Sequence, residues 1–174
     1  MEGPFLDPAK KGAHVEGYIR KPDIEFFRAC NEAAGGMIKL VTLAPNMEGS
    51  EEFIRELHNE VVISIGHTAA DYGCAAEAMK EGALHVTHLY NAMQPLAHRA
   101  PGLIGAASDD EQCMVEMICD GIHIHPSVIR GTFRMFGPER IVLISDSMMA
   151  TGMENGTYQP VSYTHLTLPT TPYV

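Results

Sequence analysis

With 174 residues, 45% of them hydrophobic, the chain is long enough for one packed domain and too apolar to be disordered. A formal charge of −10, with basic residues only in short pairs such as Lys10-Lys11 and Arg20-Lys21, argues against a nucleic-acid partner but leaves room for one small phosphorylated ligand. No apolar run reaches membrane-spanning length and the N-terminus is not signal-like, so a cytoplasmic protein without a membrane partner is expected.

Glu2-Gly-Pro-Phe reads as the tip of a strand whose body lies outside the sequence, and a loop carrying Ala13 and His14 follows it. A helix is expected over 23–34, with Asp23 as N-cap and Gly35 as its stop. A strand over 37–45 leads to a helix over 50–59, for which Ser50 is the expected N-cap. The strand over 61–66 ends in Gly66-His67, and a helix over 71–81 runs from Asp71 to Gly82. The strand over 84–90 ends in Thr87-His88, and the strand over 115–119 runs into Asp120-Gly121-Ile122-His123. Pro126–Phe136 reads as a helix stopped by Gly137, and a strand over 141–145 ends in Ser145-Asp146. The remainder, 161–174, is rich in Thr and Pro without clean periodicity and is expected to be a non-native or disordered tail, His165 included.

Near-continuous Val, Ile and Leu runs suit parallel strands covered on both faces. Their starts at 37, 61, 84, 115 and 141 lie 23 to 31 residues apart, the rhythm of β/α units. A doubly wound sheet gathers its site at one switch point, whereas here a polar cluster follows nearly every strand. The expected architecture is therefore an α/β partial (β/α)8 TIM-type barrel over 1–160, about five units plus a strand tip, where a full barrel takes about 250 residues. Open strand edges are an aggregation hazard, so the chain expressed alone is expected to be insoluble or inactive.

Strand ends are where such folds bind ligands. Glu2, His67 and His88 supply one carboxylate and two imidazoles, the three-ligand set of a catalytic Zn²⁺ site that keeps one position open. His85 differs from His88 by three positions and should point to the other face of its strand. Asp146 follows a strand too apolar to need a carboxylate, and is suited to act as general base and acid beside a metal-activated water. Asn91, the Ala92 N–H and Arg99 can hold an anionic group. The Asp120–His123 segment brings an imidazole able to polarise a carbonyl, and His14 can reach a sugar hydroxyl. His125, just before Pro126, is expected to be a cap. His58 and His98 receive no role. The four cysteines read as reduced, buried thiols and the 11 methionines as core filler.

Five stretches together, Glu2-Gly-Pro-Phe-Leu-Asp-Pro-Ala-Lys-Lys-Gly-Ala-His14, Gly66-His-Thr-Ala, Thr87-His-Leu-Tyr-Asn-Ala-Met93, Asp120-Gly-Ile-His123 and Ser145-Asp-Ser-Met, resemble the N-acetylglucosamine-6-phosphate deacetylases of the amidohydrolase superfamily. The resemblance spans 1–160 and implies a metal-dependent (β/α)8 hydrolase of amino-sugar catabolism. It implies Glu2, His67 and His88 as metal ligands and Asp146 as catalytic acid/base. It implies substrate contacts at Ala13, His14, Asn91, Ala92, Arg99, Asp120, Gly121, Ile122 and His123. One divalent metal is implied, zinc first, with iron, manganese or cobalt as alternatives; a second depends on a strand outside this sequence. A homodimer is also implied, as are two barrel strands and a small flanking β-sandwich that the sequence lacks. The alternatives are another amidohydrolase, such as a cyclic amidase or a deaminase, and a non-catalytic sugar-phosphate-binding protein.

Overall fold

The computed structural model describes residues 1–148 and 150–154, together with the backbone of Thr157–Tyr158 and Leu166–Thr167. Five parallel strands form one sheet in the order β1 (Leu40–Leu43), β2 (Val62–Ile65), β3 (His85–Val86), β4 (Met114–Ile118) and β5 (Ile141–Ile144). Helix α1 (Ile24–Ala33) precedes β1, and α2 (Ser50–Leu57), α3 (Tyr72–Lys80), α4 (Gly102–Asp109) and α5 (Pro126–Phe136) connect the strands in turn. Spatial order equals chain order, without the reversal that defines a doubly wound sheet. Ahead of β1, Glu2 bridges in parallel to Thr42, and the Thr42 N–H donates to the Met1 carbonyl at 2.8 Å. A strand tip thus lies against the outer edge of β1.

Alternation of strand and helix buries apolar side chains between sheet and helices. Phe5, Phe27 and Phe53 are fully buried, with Phe53 ring centroids 5.1 Å from Phe5 and 5.7 Å from Phe27. Removing a ring of this kind costs about 3–5 kcal/mol. Asp23 and Asp71 cap α1 and α3 as expected, accepting from the Phe26 and Cys74 N–H groups. His125 caps α5.

Several expectations are corrected. Gly49, left-handed at φ +92°, is the cap residue of α2, and the buried Ser50 hydroxyl donates instead to the Ala44 carbonyl at 2.8 Å. Helix α4 was not expected, because Gly-Leu-Ile-Gly-Ala-Ala is buried on every side and shows no amphipathic period. Strand β3 is only two residues long, since His88 and Tyr90 take positive φ and lift the chain out of the ladder. Cys119 is exposed although the other three cysteines are buried or half-buried, and Met37, Met135 and Met153 lie on the surface. The expected tail over 161–174 lies outside the described residues, apart from the backbone of Leu166–Thr167, which pairs antiparallel with Thr157–Tyr158.

Candidate metal centre

Three strand-end side chains meet at one point. Glu2 Oε1 lies 2.7 Å from His67 Nε2 and 3.4 Å from His88 Nε2, and the two Nε2 atoms are 3.0 Å apart. Local backbone makes this possible. His67 and His88 adopt φ +46° and +30°, so each imidazole turns inward just past its strand. Among the described residues the non-glycine residues with positive φ are His67, His88, Tyr90, Ala92 and Asp146. Such conformations cost of order 1–3 kcal/mol and cluster at functional sites. Gly66, next to His67, is held between two threonines: a Cβ there would lie 2.9 Å from Thr42 Cγ2 and 2.9 Å from Thr87 Cβ.

The protonation pattern fits a cation. His67 Nδ1 sits 2.8 Å from the Lys10 carbonyl, which only accepts, so Nδ1 carries the proton. Its Nε2 faces the Glu2 carboxylate at 2.7 Å, a contact that needs positive charge, a proton or a metal ion, between the two atoms. At His88 the surroundings also favour positive charge. Burial opposes it, but the Glu2 hydrogen bond and charge, with Asp146 adding, raise the His88 imidazole above its ordinary value. Burial would likewise raise the Glu2 carboxyl, yet hydrogen bonds from His14, His67 and His88 hold it well below the usual carboxylate range. The His88 Nδ1 is buried without a hydrogen-bond partner among the described residues. Bonds of about 2.0–2.2 Å in a tetrahedron separate neighbouring zinc ligands by roughly 3.3 Å, close to the observed spacings. The donor set therefore fits a divalent cation. His14 extends the cluster: its Nε2 lies 3.4 Å from Glu2 Oε1, and Glu2, His14 and His67 also form a possible ligand group. A cavity of about 310 Å³ lined by Glu2, His14, Tyr18 and Ile19 opens beside it.

The other expected positions are less drawn together. Asp146, at φ +50°, is exposed, though its charge reaches His88 and Glu116. Asp120 closes a turn on itself: Oδ1 accepts from Ile122 N and His123 N, Oδ2 lies 2.6 Å from His123 Nδ1, and Gly121 supplies φ +76°. Asn91 donates to the His88 and Leu89 carbonyls, each at 3.3 Å, and the Ala92 carbonyl accepts from Thr68 N. Ala13 and Arg99 are exposed. His85 stays outside the cluster, its Nδ1 2.9 Å from the Ser64 hydroxyl, and burial lowers its pKa.

Sequence reasoning missed the residues that brace the centre. Buried Asp7 accepts from Ala9 N, Asn46 Nδ2 and Ala69 N, tying the loop after Glu2 to the ends of β1 and β2. The Thr87 hydroxyl bonds Thr42 at 2.9 Å and Ser64 at 2.5 Å. Glu116 Oε2 accepts from His88 N at 3.3 Å, and burial pushes its carboxyl up. A carboxylate inside the run Met-Val-Glu-Met-Ile was a signal available in the sequence.

No family model matches the chain. It is 46% identical over 160 residues to the N-acetylglucosamine-6-phosphate deacetylase of Bacillus subtilis (strain 168), covering 91% of this chain and 40% of that protein. The crystal structure of N-acetyl-D-glucosamine-6-phosphate deacetylase from Mycobacterium smegmatis superposes with a TM-score of 0.87 at 41% identity, over 91% of this chain and 42% of that one. An aspartate-to-alanine mutant of that enzyme, in complex with N-acetyl-D-glucosamine-6-phosphate, gives a TM-score of 0.88 at 40% identity, with the same coverage. The chain thus spans about two fifths of the relatives it matches. Over that span it is a partial (β/α)8-barrel homologue of the N-acetylglucosamine-6-phosphate deacetylases.

Proposed function

We propose that the chain carries the metal centre and acid/base of a hydrolase that converts N-acetylglucosamine 6-phosphate to glucosamine 6-phosphate and acetate, in cytoplasmic amino-sugar catabolism. The observation that carries this reading is the approach of Glu2 Oε1, His67 Nε2 and His88 Nε2 to within 3.4 Å of one another. These three hold one divalent metal, zinc by donor type, with iron, manganese or cobalt as alternatives. When bound, such an ion polarises an amide carbonyl and acidifies water. Asp146 takes a proton from water as the new C–O bond forms at the acetamido carbon. It returns that proton to the amine nitrogen as the C–N bond breaks, releasing amine and acetate. His123, its ring oriented by Asp120, donates to the carbonyl oxygen. Ala13, His14 and the Asp120-Gly121-Ile122 turn face the sugar. Asn91, the Ala92 N–H and Arg99 hold the phosphate. The working assembly is a homodimer.

Equilibrium dialysis of the purified chain against zinc tests the centre: one ion per chain is expected, and uptake unchanged in Glu2→Gln and His67→Ala rejects the ligand set. Acetate release from the sugar phosphate, assayed in a full-length deacetylase barrel carrying residues 1–148 of this chain, tests the chemistry. Asp146→Asn is expected to lose turnover and keep zinc; a protein that binds the sugar phosphate and never releases acetate is a binder instead.

A further inference from the structure

We propose that Glu116 is a positioning residue for His88, an inference that rests on the metal reading above. The β3 ladder ends at Val86, and the chain beyond it must find other acceptors. Thr87 N still donates to the Ile65 carbonyl of β2 at 2.9 Å. The next two N–H groups both turn to one residue of β4. The Glu116 carboxylate takes that of His88 at 3.3 Å, and the Glu116 carbonyl takes that of Leu89 at 2.8 Å. A side chain thus replaces the missing ladder acceptor where the backbone enters the left-handed region at φ +30°.

The side chain is well placed for this. It is mostly enclosed, with 15% of its surface exposed, and its other oxygen stands 3.9 Å from His85 Nδ1. His85 is itself fixed by Ser64, whose hydroxyl bonds Thr87. Three strands therefore converge on the single peptide that aims the His88 imidazole. With Nδ1 unpartnered among the described residues, the ring lacks there the usual hydrogen bond that orients a metal-binding histidine, so its aim rests on the backbone.

The test compares wild type, Glu116→Gln and Glu116→Leu for zinc affinity, by competition with a chromophoric chelator, and for exchange of the His88 amide hydrogen. Glu116→Leu is expected to weaken zinc about 10- to 100-fold, the range for lost supporting contacts, and to speed His88 exchange. Glu116→Gln keeps an oxygen acceptor and should fall between the two. Unchanged affinity in the leucine variant overturns the proposal, as do equal losses in both variants, which would assign the effect to charge. If the leucine variant does not fold, the glutamine variant decides: weaker zinc with faster His88 exchange supports the proposal, and anything less overturns it. A wild-type chain that takes up no zinc overturns the metal reading and this inference with it.

Discussion

The two flanks of the sheet are built differently. On the side of β1 to β3, hydrogen bonds among Asp7, Asn46, Thr42, Ser64 and Thr87 brace the strand ends that carry the site, and both histidines are nearly fully buried while Glu2 is exposed. On the side of β4 and β5, the Asp120–His123 turn and Asp146 are exposed, and Val142 and Leu143 of β5 show 37% and 64% of their surface. On the proposed function, groups that share one ion need fixed separations of about 3 Å, which the braced strand ends provide. On the same reading, groups that meet a changing substrate sit on surface turns, where local hydrogen bonds define the backbone and leave the side chain reachable.

The largest effect that would break this contrast is on the locked flank. Glu2→Gln is expected to weaken zinc by roughly 3 kcal/mol, about a hundredfold, if the binding energy of a zinc site divides evenly among four ligands; isothermal titration reads it. Gly66→Ala comes next. Its methyl would press on Thr42 and Thr87, and overpacking of this kind lowers stability by about 1–3 kcal/mol in urea melts.

The pH response sharpens the contrast further. In the zinc-free chain the Glu2 carboxyl stays ionised when folded, while the unfolded chain takes up a proton near pH ~4.3. Stability contributed by Glu2 is therefore present above that value and falls as pH drops through and below it. The raised His88 imidazole works in the opposite sense. Its contribution is full below about pH 6.5 and is lost as pH climbs through the raised value. Thermal melts in chelator should show both limbs, and zinc should abolish the upper one by displacing the His88 proton. The smallest effect belongs to the exposed flank: Asp120→Ala should leave zinc affinity unchanged and lower stability by about 0.5–1 kcal/mol through the lost bonds to the Ile122 and His123 N–H groups.

The locked flank was also the more legible. His67 and His88 each close an apolar run, and strand-end position alone told where their side chains would gather. The braces were hidden for physical reasons. Asp7, Thr42 and Ser64 matter through contacts across 39, 45 and 23 residues of chain, which no local pattern encodes. Glu116 is a single polar interruption of an otherwise apolar run, which alone does not say what it bonds. Helix α4 escaped because a helix apolar all round carries no 3.6-residue signature, and Ser50 because its hydroxyl serves a distant carbonyl rather than its own helix end.

Sequential strand order also sets a timetable. Each strand pairs with the one made just before it, so the sheet can grow as the chain emerges from the ribosome. Glu2, His67 and His88 have all been synthesised once β3 is in place, whereas Asp146 arrives 58 residues after His88 (146 − 88). On the proposed function, a nascent chain can hold its ion before the proposed proton carrier exists, and the cation can template assembly of the β4 and β5 units.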